Sequence, residues 1–165
     1  MSSNKTNHMK KLLLLTLISA AITTVAKAQT AKAVYGEFGG NGLVFSANFD
    51  TRFSGEKGIG GRVGVGYAAA GGVSIVTFPV AVNYLVGGAP HYLEIGAGVT
   101  FVTASVRFFD DDESETGTGT FFMPTLGYRY AKQGKGFIGR IYVGPVIAGG
   151  TAFFPWGGIS AGFKF

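Results

Sequence analysis

Along most of the chain, apolar residues alternate with small or polar ones at a period of two, which sets them on opposite faces of extended strands. From 59 to 69, Ile59, Gly61, Val63, Val65, Tyr67 and Ala69 alternate with Gly60, Arg62, Gly64, Gly66 and Ala68. Leu93, Ile95, Ala97, Val99 and Phe101 alternate with Glu94, Gly96, Gly98 and Thr100. Leu43, Phe45, Ala47, Phe49 and Phe53 face away from Ser46, Asn48, Asp50 and Arg52. The last stretch sets Ile159, Ala161, Phe163 and Phe165 against Gly158, Ser160, Gly162 and Lys164. One face is apolar and aromatic; the other is glycine with isolated charges. Gly-rich or polar turns bound eight such segments, at 33–40, 42–53, 58–69, 73–85, 91–107, 119–131, 136–148 and 156–165. The stretch 33–53 reads either as two strands or as one long, kinked strand.

The composition of the two faces decides which one looks outward. A soluble sandwich carries Lys, Glu and Thr on its outside and bulky apolar residues within. Glycines with a few Arg and Glu are too sparse for such a surface. With the apolar face turned toward lipid, the small residues and paired charges fill a narrow interior, the pattern of a transmembrane β-barrel. The expectation is an all-β, eight-stranded, antiparallel up-and-down barrel over 29–165. Gly60, Gly64 and Gly66 then sit where a small lumen leaves little room for side chains. Gly64 to Ala69 also satisfies a G-x-G-x-x-A dinucleotide pattern, but Ala70-Gly71-Gly72-Val73 starts no helix and no carboxylate follows at the required spacing.

The N-terminal segment has a different character. Lys5, Lys10 and Lys11 precede an apolar run from Leu12 to about Val25, and Ala26-Lys27-Ala28 supplies an A-x-A site. This reads as a secretory signal peptide over 1–28, its apolar run too short to span a bilayer. Removing it takes away four of the 14 Lys and Arg and none of the nine Asp and Glu, so the remainder is nearly neutral. The high pI therefore offers no argument for a nucleic-acid partner. All 28 glycines fall after residue 28 and there is no cysteine, so stability rests on packing and backbone hydrogen bonds.

The connections 54–57, 86–90 and 132–135 are short and fall on one side, whereas the acidic stretch 110–119 is long and falls on the other, as in barrels with short periplasmic turns. Aromatic residues gather near strand ends. Phe53, Tyr84, Tyr128, Tyr130, Phe163 and Phe165 form a predicted inner girdle, and Tyr67, Phe108, Phe109, Phe122, Phe154 and Trp156 an outer one.

Parity places Glu37, Asn48, Asp50, Arg52, Arg62, Asn83, Glu94, Arg129, Arg140 and Lys164 inside. Eight strands enclose a space just wide enough for side chains, so the charged members Glu37, Asp50, Arg52, Arg62, Glu94, Arg129, Arg140 and Lys164 are expected to form a salt-bridged plug. A narrow, gated, weakly anion-preferring pore is the alternative. His91, at the interface near a predicted inner turn, has no neighbouring nucleophile or second histidine, so no catalytic, cofactor or metal site is expected. An enzyme of outer-leaflet lipid and a secreted soluble β-sandwich are the other readings. Asp110 to Glu115 lacks the ligand spacing of an EF-hand and reads as a solvated outer loop.

The chain resembles the small outer-membrane β-barrel proteins of Bacteroidota over nearly all of residues 29–165. The likeness rests on Ser46-Ala47-Asn48-Phe49-Asp50-Thr51-Arg52-Phe53, Gly60-Gly61-Arg62-Val63-Gly64-Val65-Gly66-Tyr67, Phe78-Pro79-Val80-Ala81-Val82-Asn83-Tyr84-Leu85, Gly127-Tyr128-Arg129-Tyr130 and Pro155-Trp156-Gly157-Gly158-Ile159-Ser160. The ending Phe163-Lys164-Phe165 is similar to the C-terminal signal that such barrels present to the assembly machinery. The resemblance implies a porin-like fold in the outer membrane, surrounded by lipid and lipopolysaccharide, as a monomer with a structural or interaction role. It carries no catalytic residues over.

Overall fold

Alternating segments bounded by glycine turns become eight strands: β1 (Lys32–Gly39), β2 (Phe45–Arg52), β3 (Gly58–Ala70), β4 (Val73–Gly88), β5 (His91–Arg107), β6 (Ser114–Ala131), β7 (Gly136–Ala148) and β8 (Ala152–Lys164). The computed structural model describes residues 30–107, 114–149 and 152–165. Each strand pairs antiparallel with the next, and β8 closes on β1. Two connections have only two residues, Ala89-Pro90 between β4 and β5 and Gly71-Gly72 between β3 and β4; in the latter both residues have positive φ, the backbone of a two-residue hairpin turn that glycine adopts without strain. The segment 1–28 read as a signal peptide, the aromatics Phe108 and Phe109, and the acids Asp110 to Glu113 lie outside the described residues.

The register sets the width of the barrel. One circuit of paired residues runs from Arg129 through Arg140, Ser160, Glu37, Ser46, Gly66, Thr77 and Val102 to Gly119. It returns to β6 ten residues from its start. For eight strands this stagger demands a tilt of about 40° and leaves an interior that side chains can fill.

The two faces separate as the alternation requires. Phe45, Val65, Val99 and Phe163 point outward with 58%, 49%, 39% and 55% of their surface exposed. Glu37, Asp50, Arg62, Glu94, Arg129 and Arg140 are all buried at 5% or less. This inverts the arrangement of a soluble protein: the charges are inside and the large apolar side chains outside. On the outer wall, the rings of Phe53 and Phe137 lie over Gly61 and Gly139, covering backbone that a bare glycine would expose.

Several boundaries differ from the sequence expectation. Residues 33–53, read as two strands or as one kinked strand, are two strands, in line with the count of eight, and the differences lie elsewhere. The stretch Ser114–Gly119, expected in the outer loop, extends β6 and pairs with Val102–Arg107, in keeping with the strand preference of its alternating threonines. β8 begins at Ala152 rather than 156. Trp156, assigned to the outer girdle, instead turns inward against Phe121, Met123, Tyr142 and Val146. It shares parity with Gly158 and Ser160, which face the lumen, so the strand register overrides its preference for the membrane boundary.

Candidate functional site: the filled lumen

The interior is stacked in layers. At the inner end Ala33, Tyr35, Leu85, Tyr92, Ala131 and Ile138 form an apolar plate. The cavity between this plate and Asp50, Arg52 and Arg129 measures about 10 Å³, room for one water at most. Glu56, in the β2–β3 turn, accepts a hydrogen bond from the Gly134 backbone N–H at 2.7 Å and pairs with Lys164 at 3.4 Å. Lys164 thus sits at the inner mouth, where it also donates to the Lys132 carbonyl, and does not join the charged cluster above.

That cluster is a single alternating chain of seven charges. Arg52 donates to Asp50 at 2.8 Å. Asp50 also takes a bidentate pair from Arg129, at 3.1 and 3.0 Å. Arg129 Nε reaches Glu94 at 2.6 Å, and Glu94 accepts two further bonds from Arg140, at 3.0 and 2.7 Å. Arg140 continues to Glu37 at 3.3 Å, and Glu37 ends on Arg62 at 2.9 Å. Asn83 donates to Asp50 at 3.0 Å and accepts from Arg52, while Ser160 donates to Glu37 at 2.9 Å. Through these side chains the network touches all eight strands.

Such a cluster is stable only when every charge is met. Transfer of each ion from water costs several kcal/mol, and the partners recover it only with close, well-directed geometry. Alternation supplies that, since each carboxylate lies between two guanidinium groups. Four arginines against three acids leave one formal positive charge. The guanidinium of Arg140 lies 4.9 Å from the Tyr35 ring centroid and 5.0 Å from that of Tyr142, so two π faces also meet the cation. Glycines provide the room: a Cβ on Gly60 would fall 2.2 Å from the Arg52 guanidinium, and one on Gly162 would fall 2.4 Å from Tyr35 Cβ.

Above the charges the lumen is closed by the chain itself. Between β1 and β2, Gly40–Gly42 form one 3-10 turn that folds inward, with Asn41 fully buried. Four side chains hold it. The Asn41 N–H donates to the Tyr142 hydroxyl at 3.0 Å, and Thr100 donates to the Asn41 carbonyl at 2.8 Å. Thr77 donates to the Gly42 carbonyl at 3.1 Å, and the Trp156 indole to the Gly40 carbonyl at 3.1 Å. The exit from this plug is a γ-turn: Leu43 has φ 69 and ψ −71, and the Val44 N–H bonds to the Gly42 carbonyl at 3.1 Å. A leucine there is strained by about 1–3 kcal/mol.

The geometry now bears comparison with known proteins. The structure superimposes on the N-terminal β-barrel domain of Pseudomonas aeruginosa OprF with a TM-score of 0.58, at 13% identity, covering 82% of this chain and 96% of that one. It matches Neisserial surface protein A with a TM-score of 0.50, at 17% identity, covering 82% and 92%. The fold is that of a small outer-membrane β-barrel. No family model matches this barrel's sequence, and no curated protein does either. At these identities the likeness concerns the fold alone, and the lumen described above belongs to this chain on its own evidence.

The remaining candidate residues lie outside the lumen. Phe163 and Phe165 are exposed at the inner end of β8. His91 is on the outer wall, its Nδ1 2.6 Å from the Tyr128 hydroxyl and its ring flanked by Tyr128 and Tyr130. Among the described residues no group of three His, Cys, Asp or Glu side chains could hold a metal ion. Sequence reasoning missed Tyr35, Tyr142 and Asn41. Tyr35 and Tyr142 share parity with Glu37 and Arg140, which was a usable signal; nothing local marks Asn41.

Proposed function

We propose that the chain is exported by a cleaved signal peptide over 1–28 and inserts as a monomer into the outer membrane. There it serves as a structural or interaction component of the envelope, with lipid and lipopolysaccharide around it. Phe163 and Phe165 act as the signal read by the barrel-assembly machinery. The observation that carries this reading is the combination of an apolar outer wall with a lumen filled from end to end. A pore would need a water path, and apolar plate, charge chain and infolded turn each interrupt one. An enzyme would need an activated nucleophile or metal within reach of substrate, whereas the carboxylates here are sequestered by arginines.

The test uses residues 29–165 refolded into phospholipid vesicles. A heat-modifiable band on gels and the absence of steady conductance in planar bilayers are the expected results. Steady conductance lost on R62Q or R140Q would overturn the closed-lumen reading. Turnover of phospholipid or lipid A, abolished by H91A or E94Q, would overturn the non-enzymatic one. A chain that stays dissolved without surfactant would overturn the membrane assignment.

A further inference from the structure

The wall of the barrel is not of even height. β1 and β2 are each eight residues long, whereas β3 and β8 on either side have 13. Pairing between β1 and β8 stops at Gly39 and Gly158, and pairing between β2 and β3 stops at Ser46 and Gly66. Beyond those points Tyr67–Ala70 of β3 and Ala152–Gly157 of β8 continue without pairing to β1 or β2. The wall is therefore notched over two strands at its outer rim. The segment that could have filled the notch, Gly40–Gly42, has gone into the lumen instead.

A groove of about 460 Å³ lies at the β8 side of this notch, lined chiefly by Phe38, Leu43, Val44, Val143, Trp156 and Ile159. Its outer part belongs to the apolar wall: Phe38, Val143 and Ile159 are all more than half exposed. Its inner part is the sill formed by Leu43 and Trp156, which pack on Phe121, Met123, Tyr142 and Val146 inside the barrel. Apolar surface thus runs without a break from the outside of the barrel to the outer layer of the lumen. The backbone at Leu43 has a conformation that leucine rarely takes, and its side chain packs on the sill.

The chemistry of the lining names the occupant. No charged residue lines the groove. Its two polar side chains are already engaged, Tyr142 with Asn41 and Arg62, and Trp156 with Gly40. A sugar or an extended peptide would leave its polar groups unpaired there. A hydrocarbon chain loses nothing, and the volume is within the range of small-ligand sites.

We propose that the Leu43–Trp156 groove binds one acyl chain of an outer-leaflet lipid, entering sideways through the notch. The site rests on the membrane reading above. The probe is phosphatidylethanolamine bearing a diazirine midway along one acyl chain, mixed into phosphatidylethanolamine–phosphatidylglycerol vesicles that hold the refolded barrel. After illumination, peptide mapping counts adducts. Adducts at 38–44 and 154–159 should exceed those at the equally exposed wall residues Val82 and Leu126 by about fivefold, corresponding to roughly 1 kcal/mol of extra contact. V143W should fill the groove and bring labelling down to the level of the general wall, whereas V82W should leave the enrichment intact. L43G relieves the backbone strain but removes the sill, so it should lower labelling while the heat-modifiable band persists. Even labelling along the wall of a correctly inserted barrel would overturn the site and leave the membrane reading standing. A chain that never enters vesicles would overturn both.

Discussion

Up to the Gly39–Gly158 and Ser46–Gly66 pairs, the barrel is closed by all eight strands, and its lumen is held by charges that tie every strand to another. Beyond those pairs the wall has lost two strands, and the space inside is filled by a turn of the chain and a cluster of apolar side chains. The inner region is bound by directional, mutually dependent contacts; the outer one rests on packing and four hydrogen bonds to a short segment. Damage should spread through the whole barrel in the first case and stay local in the second.

Removing the hub of the charge chain tests this most severely. D50A leaves Arg52 and Arg129 buried without their shared partner and should cost about 3–5 kcal/mol, read as a lower denaturant midpoint or loss of the heat-modifiable band. In the outer region, G98L drives a side chain into the place of Asn41, since a Cβ there would lie 2.2 Å from Asn41 Nδ2. The expected loss is about 1–3 kcal/mol, with hydrogen exchange accelerated at Gly40–Val44 and unchanged at the inner strand pairs. Equal acceleration at both ends would erase the distinction between the regions.

L43G exchanges lost apolar contact for relief of the positive φ, so its midpoint should remain within about 1 kcal/mol of the parent. A much larger loss would mean that the sill side chain, not the backbone, sustains the plug. The smallest effect belongs to the inner mouth. Glu56 is partly exposed where it meets Lys164, and E56Q should change stability by about 0.5 kcal/mol or less, measured by the same denaturant titration.

Much of the fold was legible because a membrane wall imposes two independent constraints on a strand. Hydrocarbon outside and a narrow space inside require opposite residue types, so Val63, Val65 and Tyr67 could be separated from Arg62, Gly64 and Gly66 by parity alone. The same rule placed Glu37, Asp50, Arg62, Glu94, Arg129 and Arg140 inward. It could not say that Lys164 would stop at the mouth, because its position along the barrel axis depends on the stagger between strands. Nor did it mark the apolar layers: Tyr35, Leu85, Phe121 and Met123 share the inward parity of Glu37, Asn83 and Arg129, but their apolar character is the one expected of the lipid-facing side. Trp156 was misplaced for that reason.

By itself, the chain's alternation determined the strand segments and which face of each turns outward, because both are local consequences of a two-residue repeat. Tertiary structure alone decided which carboxylate meets which arginine, that Gly40–Gly42 turn inward, and that the wall is notched between β3 and β8. Those outcomes depend on partners 25 to 103 positions apart in the charge chain's contacts to Glu37, and on four separate strands gripping one turn. No short window of sequence contains both halves of such a contact, and closure of the barrel is what brings them together.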